Sequence, residues 1–306
     1  MHILITVASA YGIFYINKIV ADPNSCMNNK RVFIVGAGFS HQLSNRKCPL
    51  TKQLGKDFAE SSFFKDNHIL EKYFKDSVEG HTDCDIEKII TQIDLDLNAF
   101  DVDNSLNKAK ECILEFIKYR LEIKRINKSL ISPFDSFKYC KNLFKRDDVI
   151  ITFNYDCLLE HTLWQLRDNG HQWWHYNGGY GRSIDDRIHS SKGSRDSNYM
   201  GIRILKMHGS LNFKFLEMIS NRDSPDVMCQ STSDIFPNDN TPETDWINET
   251  WDGLILPSYL KPFGDSFAYI NLFYEAIDAI KNADVINIIG YSLPKSDVMA
   301  DLLPKN

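Results

Sequence analysis

Val32-Phe33-Ile34-Val35 is an unbroken apolar run, β-branched and aromatic, that stops at Gly36. The same pattern returns in Val149-Ile150-Ile151-Thr152-Phe153 and in Val285-Ile286-Asn287-Ile288-Ile289. A strand that is apolar on both alternating faces has no side to turn toward water, so it belongs in a parallel sheet covered above and below. Each run ends in a turn containing Gly or Asn: Gly36-Ala37-Gly38, Asn154-Tyr155-Asp156 and Gly290-Tyr291-Ser292. The predicted fold class is α/β. In an open parallel sheet the ligand crevice lies at the carboxyl ends of the strands, where these three turns fall.

Between the first two runs the text changes. Asp57 to Phe64, Ile86 to Leu97, Leu106 to Ile126 and Phe134 to Phe144 carry apolar residues at i, i+3, i+4 spacing with charges between them, which predicts a helical insertion at about residues 52–147. After the second run Asp156 is expected to cap a helix through Leu158, Leu159, Leu163 and Leu166. Ile202 to Met207, Asn212 to Phe215 and Leu254-Ile255-Leu256 read as further strands, and Phe267 to Ile280 as a helix. Polar stretches at 183–198 and 219–250 read as long loops. Residues 1–30 read as an N-terminal extension ahead of the fold at 31–306, because Met27 and Asn28-Asn29-Lys30-Arg31 directly precede the first core strand. Its apolar part, Ile3 to Ile16, is shorter than the roughly 20 residues that span a bilayer, and no Lys or Arg precedes it as in a signal peptide. No membrane association is expected.

Charge and cysteine usage narrow the function. With 35 Lys+Arg against 41 Asp+Glu, the net charge of −6 lacks the basic footprint of a nucleic-acid binder. A small anion remains a reasonable ligand, since backbone amides at a helix start bind it without net charge. Seven cysteines (Cys26, Cys48, Cys84, Cys112, Cys140, Cys157, Cys229) are scattered with no C-x-x-C pair, which predicts a cytoplasmic protein with neither disulfides nor a zinc site.

Three constellations carry chemistry. Gly36-Ala37-Gly38-Phe39-Ser40 follows a buried strand as a phosphate-binding turn would, although His41 stands where the dinucleotide fingerprint wants a third glycine, which argues against a hydride-transferring dehydrogenase. Asn154 ends a strand, where its carboxamide can orient a water, and Asp156 follows at the helix start. His208, followed by Gly209, is free to project into the crevice, and an imidazole suits general-base work.

In order, these pieces resemble the sirtuin-like NAD-binding domains, and among them the NAD hydrolases of bacterial anti-phage defence. The matching residues are Gly36-Ala37-Gly38-Phe39-Ser40, Cys48-Pro49-Leu50-Thr51, Asp85-Ile86-Glu87, Thr152-Phe153-Asn154-Tyr155-Asp156, His208-Gly209-Ser210, Leu256-Pro257 with Lys261, and Gly290-Tyr291-Ser292-Leu293-Pro294 with Asp297. The resemblance implies a Rossmann-like parallel sheet with helices on both faces and a large inserted helical subdomain. It also implies that Gly36, Ala37, Gly38, Phe39 and Ser40 cradle the NAD phosphates. Asn154 and Asp156 would then address the nicotinamide-ribose end, His208 would be the catalytic histidine, and Gly290, Tyr291 and Ser292 would line the adenosine side.

Sirtuin deacylases carry a four-cysteine zinc ribbon after the histidine, whereas Cys229 alone lies in that stretch here. The expected activity is therefore hydrolysis of NAD to nicotinamide and ADP-ribose, without a metal, in defence by NAD depletion. The alternatives are an NAD-dependent protein deacylase, an ADP-ribosyltransferase, or a non-catalytic nucleotide-binding sensor. Only residues 298–306 follow Asp297, so the helix expected there barely starts, and either the chain is a truncated copy or a partner completes it; a homo-oligomer or a defence-system partner protein is expected. A chain beginning at Met27 is expected to fold and bind NAD as the full chain does.

Overall fold

The computed structural model describes residues 3–8, 13–18, 30–78, 85–100, 104–121, 133–168, 171–181, 184, 201–215, 227–229, 253–256 and 266–292. The chain opens with strands β1 (Ile3–Ala8), β2 (Ile13–Lys18) and β3 (Arg31–Val35) and a short helix, α1 (Ala37–Leu43). Helices α2 (Thr51–Glu60), α3 (Ser62–Lys65), α4 (His68–Val78), α5 (Ile86–Phe100), α6 (Asn104–Leu121) and α7 (Pro133–Leu143) then precede β4 (Val149–Thr152). After β4 come α8 (Leu158–Gln165), a small hairpin of β5 (Arg167–Asp168) and β6 (His171–Gln172), and the one-turn α9 (Tyr176–Gly179). The described chain closes with β7 (Arg203–Lys206), a hairpin of β8 (Phe213–Phe215) and β9 (Val227–Cys229), α10 (Phe267–Lys281) and β10 (Val285–Ile289).

The main sheet has the order β1-β2-β10-β3-β4-β7. Its β10, β3, β4 and β7 form a parallel four-stranded unit flanked by helices, so the α/β class holds. Ile289, Val35, Thr152 and Lys206 stand side by side as the last residues of those strands. All four turns that follow therefore open at one level on one edge. The chain moves from β3 to β4 to β7 and then returns to the far side of β3 as β10, so the order reverses at the β3–β10 junction, where parallel α/β sheets bind ligands.

The sequence set residues 1–30 apart, whereas the structure gives part of that segment a backbone role. β2 pairs antiparallel with β10, from Val285 opposite Asn17 to Ile289 opposite Ile13, and β1 pairs with β2. The physical reason is the edge: without β2, one side of β10 would present unpaired N–H and C=O groups, and the β-branched and aromatic Ile13-Phe14-Tyr15-Ile16 segment has the β-propensity to cover them.

Among the described residues two apolar cores form. One gathers the sheet residues with α1, α7, α8 and α10 around Phe33, Ile151, Leu205 and Leu272, all at most 1% exposed. The other joins α2, α4, α5 and α6 through Phe58, Leu70, Ile90, Ile113 and Phe116, and extends to Tyr155, Cys157 and Leu158 just beyond β4. Helices α2, α4, α5 and α6 thus pack beside the carboxyl end of β4. Asp85 accepts from the N–H groups of Glu87 and Lys88 and fixes the start of α5, and Arg120 pairs with Asp57 across α6 and α2. At the opposite edge Arg31 grips Asp148 at 2.5 and 2.9 Å, tying the amino ends of β3 and β4. Among the described residues, no helix is long and apolar enough to cross a membrane.

Several elements differ from the sequence reading. The helix expected at 57–64 is two helices broken at Ser61, whose hydroxyl caps the second. Helix α4 is not among the helices expected from the sequence, because its apolar residues are diluted by Glu71, Lys72, Lys75 and Asp76. Leu254-Ile255-Leu256 is not a strand: Leu254 makes an isolated bridge to Gly209. Within the expected loop 219–250, Val227–Cys229 is a strand. Met27, residues 122–126, Pro257, Lys261, Leu293, Pro294, Asp297, and the loop at 183–198 apart from Ile184 lie outside the described residues.

Candidate functional site

The glycines of the first and last turns meet backbone to backbone. The Gly36 N–H donates to the Ile289 carbonyl at 3.0 Å and the Gly38 N–H to the Gly290 carbonyl at 2.9 Å. Gly290 has φ +60°, and a Cβ there would stand 2.3 Å from the Phe39 nitrogen and 2.6 Å from the Gly38 carbonyl carbon. Side chains on these residues would force the turns apart, so the close approach of β10 to the start of α1 is itself a reason for glycine. Two amides expected to cradle a phosphate are thus engaged within the protein. Phe39 packs in the core against Tyr139 and Phe144, Ala37 opens α1, and Ser292 is exposed.

Asn154, Ser40 and Asp156 form one network. Asn154 Nδ2 donates to the Gly36 carbonyl and to Ser40 Oγ, each at 2.9 Å. Because a carbonyl only accepts, the amide hydrogens must face Gly36, and Oδ1 is left as the acceptor of this side chain. Ser40 Oγ in turn donates to Asp156 Oδ1 at 3.0 Å. The same carboxylate oxygen accepts from the Leu158 N–H at 3.1 Å, so Asp156 holds the first N–H of α8 from one residue before its N-cap, Cys157, rather than capping the helix itself, while its Oδ2 receives the Cys48 thiol at 3.8 Å. His41 Nδ1 meets the Cys48 carbonyl at 2.7 Å and secures that loop. Burial, reinforced by Asp156, pushes the Cys48 thiol far above its ordinary pKa, which leaves it protonated and unreactive.

His208 follows β7 by two residues and is only 5% exposed. Its ring stands edge-on to Phe153 at 5.0 Å and tilted over Tyr155 at 6.1 Å, and Phe153 stacks on Tyr291 at 4.7 Å. The sequence expected this imidazole to project into a crevice, whereas the structure packs it among aromatic rings. Gly209 adopts φ +78° and would bring a Cβ to 2.0 Å from the Gly253 carbonyl oxygen, so the turn after His208 is closed against the segment carrying Leu254. Asn154 and His208 thus follow neighbouring strands β4 and β7, with Phe153 between Tyr291 and His208.

A buried polar cluster lies beside these residues. Lys206 Nζ donates to the Asp156 main-chain carbonyl at 2.5 Å and pairs with Glu160 Oε1 at 2.9 Å, with both side chains 1% exposed. Burial, the largest single influence, would lower the Lys206 amine, but the surrounding negative groups, Glu160 foremost, together outweigh it and hold the pKa above the ordinary lysine value, so the group stays an ammonium. Tyr180 hydroxyl approaches Glu160 Oε1 and Asn212 Oδ1, and the Cys157 thiol lies 3.4 Å from Ser210 Oγ. Burial and the Glu160 charge push the Cys157 thiol up to about 12. Sequence reasoning passed over Glu160, Tyr180 and Asn212. The available signal was a charge at an otherwise apolar position, Glu160 beside Leu158 and Leu159 and Lys206 within Ile202–Met207.

Among the described residues, no group of three or more His, Cys, Asp or Glu side chains is arranged to hold a metal ion. Fold and site together define an α/β protein whose parallel sheet gathers a carboxamide, a hydroxyl, a carboxylate and an imidazole at its carboxyl edge. No protein-family model and no curated protein matches this chain.

Proposed function

We propose that this protein is an NAD hydrolase that cleaves the nicotinamide–ribose bond to give nicotinamide and ADP-ribose, acting in the cytoplasm in anti-phage defence by NAD depletion. The observation that supports this reading most is the convergence of Gly36, Ser40, Asn154, Asp156, His208 and Gly290 after the ends of four parallel strands that finish in register. In this reading residues 31–306 are a Rossmann-like domain with helices on both sheet faces and an inserted helical subdomain at about 52–147.

Departure of nicotinamide leaves oxocarbenium character on the ribose. The enzyme then gains by fixing the sugar and presenting one water to C1. Asn154 is suited to that task because its amide hydrogens are anchored on Gly36 and Ser40, which aims Oδ1 as a fixed acceptor for a water or ribose hydroxyl hydrogen. His208 would accept from a ribose hydroxyl once the aromatic packing around it admits substrate. Ala37, whose N–H opens α1, is the residue of the glycine turn best placed to meet a phosphate oxygen.

A second reading, a nucleotide-binding sensor without turnover, is favoured by the burial of His208 among aromatic rings. Incubating the protein with NAD and following free nicotinamide, with and without an acyl-lysine peptide, separates the cases. Peptide-independent release supports hydrolysis, peptide-dependent release indicates a deacylase or transferase, and binding without release indicates a sensor.

A further inference from the structure

We propose that Lys206 is a positioning residue that fixes Asn154 relative to His208. This rests on the reading that those two side chains serve one reaction. Lys206 is the last residue of β7 and stands two residues before His208, while its ammonium reaches sideways to the Asp156 main-chain carbonyl at 2.5 Å. Asp156 closes the turn that begins with Asn154, and its carboxylate holds Ser40, which accepts from the Asn154 amide. One side chain therefore ties the strand end bearing the imidazole to the strand end bearing the carboxamide.

Glu160, on the first turn of α8, supplies the counter-charge at 2.9 Å. Its second oxygen, Oε2, is buried without a hydrogen-bond partner among the described residues. A buried ion pair that leaves one oxygen unsatisfied is a poor way to stabilise a fold, because well-packed apolar residues of similar volume do as well or better. The lysine makes sense here for what its ammonium holds: the main-chain carbonyl of the Asn154–Asp156 turn, which an apolar side chain could not restrain.

The test uses the full chain and the double variant Lys206→Met/Glu160→Leu, which removes both charges and keeps the volume. It is expected to melt within about 5 °C of the parent, since no charge is left unpaired. Two readouts follow. By nuclear magnetic resonance, the Asn154 side-chain amide is expected to exchange with solvent at least about tenfold faster than in the parent while core amides keep their protection. In NAD turnover, kcat is expected to fall at least about tenfold with KM changed less than about threefold, the pattern of lost positioning rather than lost binding.

The first readout needs no activity. If the parent neither binds nor cleaves NAD, the functional reading fails, while the amide exchange still decides the role of Lys206. Unchanged Asn154 exchange, or kcat kept within twofold in an active parent, overturns the proposal. Should the double variant fail to fold, Lys206→Gln/Glu160→Gln replaces the ion pair by neutral polar side chains, with residue 206 too short to reach the Asp156 carbonyl, and the same two outcomes apply to it.

Discussion

Replacing Gly290 by Ala tests why glycines sit at these turns. The added Cβ would meet the Phe39 nitrogen at 2.3 Å and Gly38 backbone carbons at 2.6 and 2.9 Å, all main-chain atoms that no rotamer change can move aside. The left-handed backbone at φ +60° costs a non-glycine residue about 1–2 kcal/mol. Forcing the turns apart adds about 1–3 kcal/mol of overpacking and weakens the Gly38 bond to the Gly290 carbonyl, worth about 1 kcal/mol. The expected loss is about 4 kcal/mol, a large part of the 5–15 kcal/mol typical of a folded domain. Urea unfolding of the ligand-free protein measures it directly, with the exposed Ser292→Ala as control, expected within about 0.5 kcal/mol of the parent. A loss below about 1 kcal/mol for Gly290→Ala would refute the packing argument and return the glycine to a purely ligand-binding role.

Other outcomes follow from the same geometry. Asn154→Ala removes the bonds to Gly36 and Ser40 and is expected to lower unfolding free energy by about 1–2 kcal/mol in the same assay. Burial depresses the His161 imidazole to about 4. The unfolded chain therefore takes up a proton near pH 6.5 that the folded protein refuses, and this contribution is full above that pH and lost as pH falls toward 4. Stability between those limits is expected to fall by up to about 3 kcal/mol in the parent, and less steeply in His161→Gln. A chain beginning at Met27 lacks β2 and uncovers one edge of β10, so its melting temperature is expected to fall by more than roughly 5 °C; an unchanged value would show that the hairpin adds nothing.

The parallel core was legible because its strands are apolar on both faces: Val32 to Val35, Val149 to Thr152 and Val285 to Ile289 declare burial residue by residue. The turns after them were legible because glycine and asparagine punctuate a strand end. Packing across the sheet was not. Nothing local in Lys206 says that its ammonium reaches the carbonyl of Asp156, fifty residues earlier, and nothing in Gly290 says that its neighbour is Phe39 rather than a phosphate. Both are facts of strand order. The surroundings of His208 were hidden for a related reason: a following glycine suggests freedom, but Gly209 is closed against Gly253 and the ring is enclosed by Phe153 and Tyr155. The strand character of Ile13 to Lys18 was present as an apolar stretch, but only the open edge of β10 turns it into a sheet strand.

Nicotinamide release from NAD by the parent, Asn154→Ala and His208→Ala, each first checked for a cooperative unfolding transition, tests the central claim most directly. The account predicts steady release by the parent, independent of any acyl peptide, and a fall of at least about 100-fold in each folded variant. A parent that releases no nicotinamide, or a variant within twofold of it, would contradict the account.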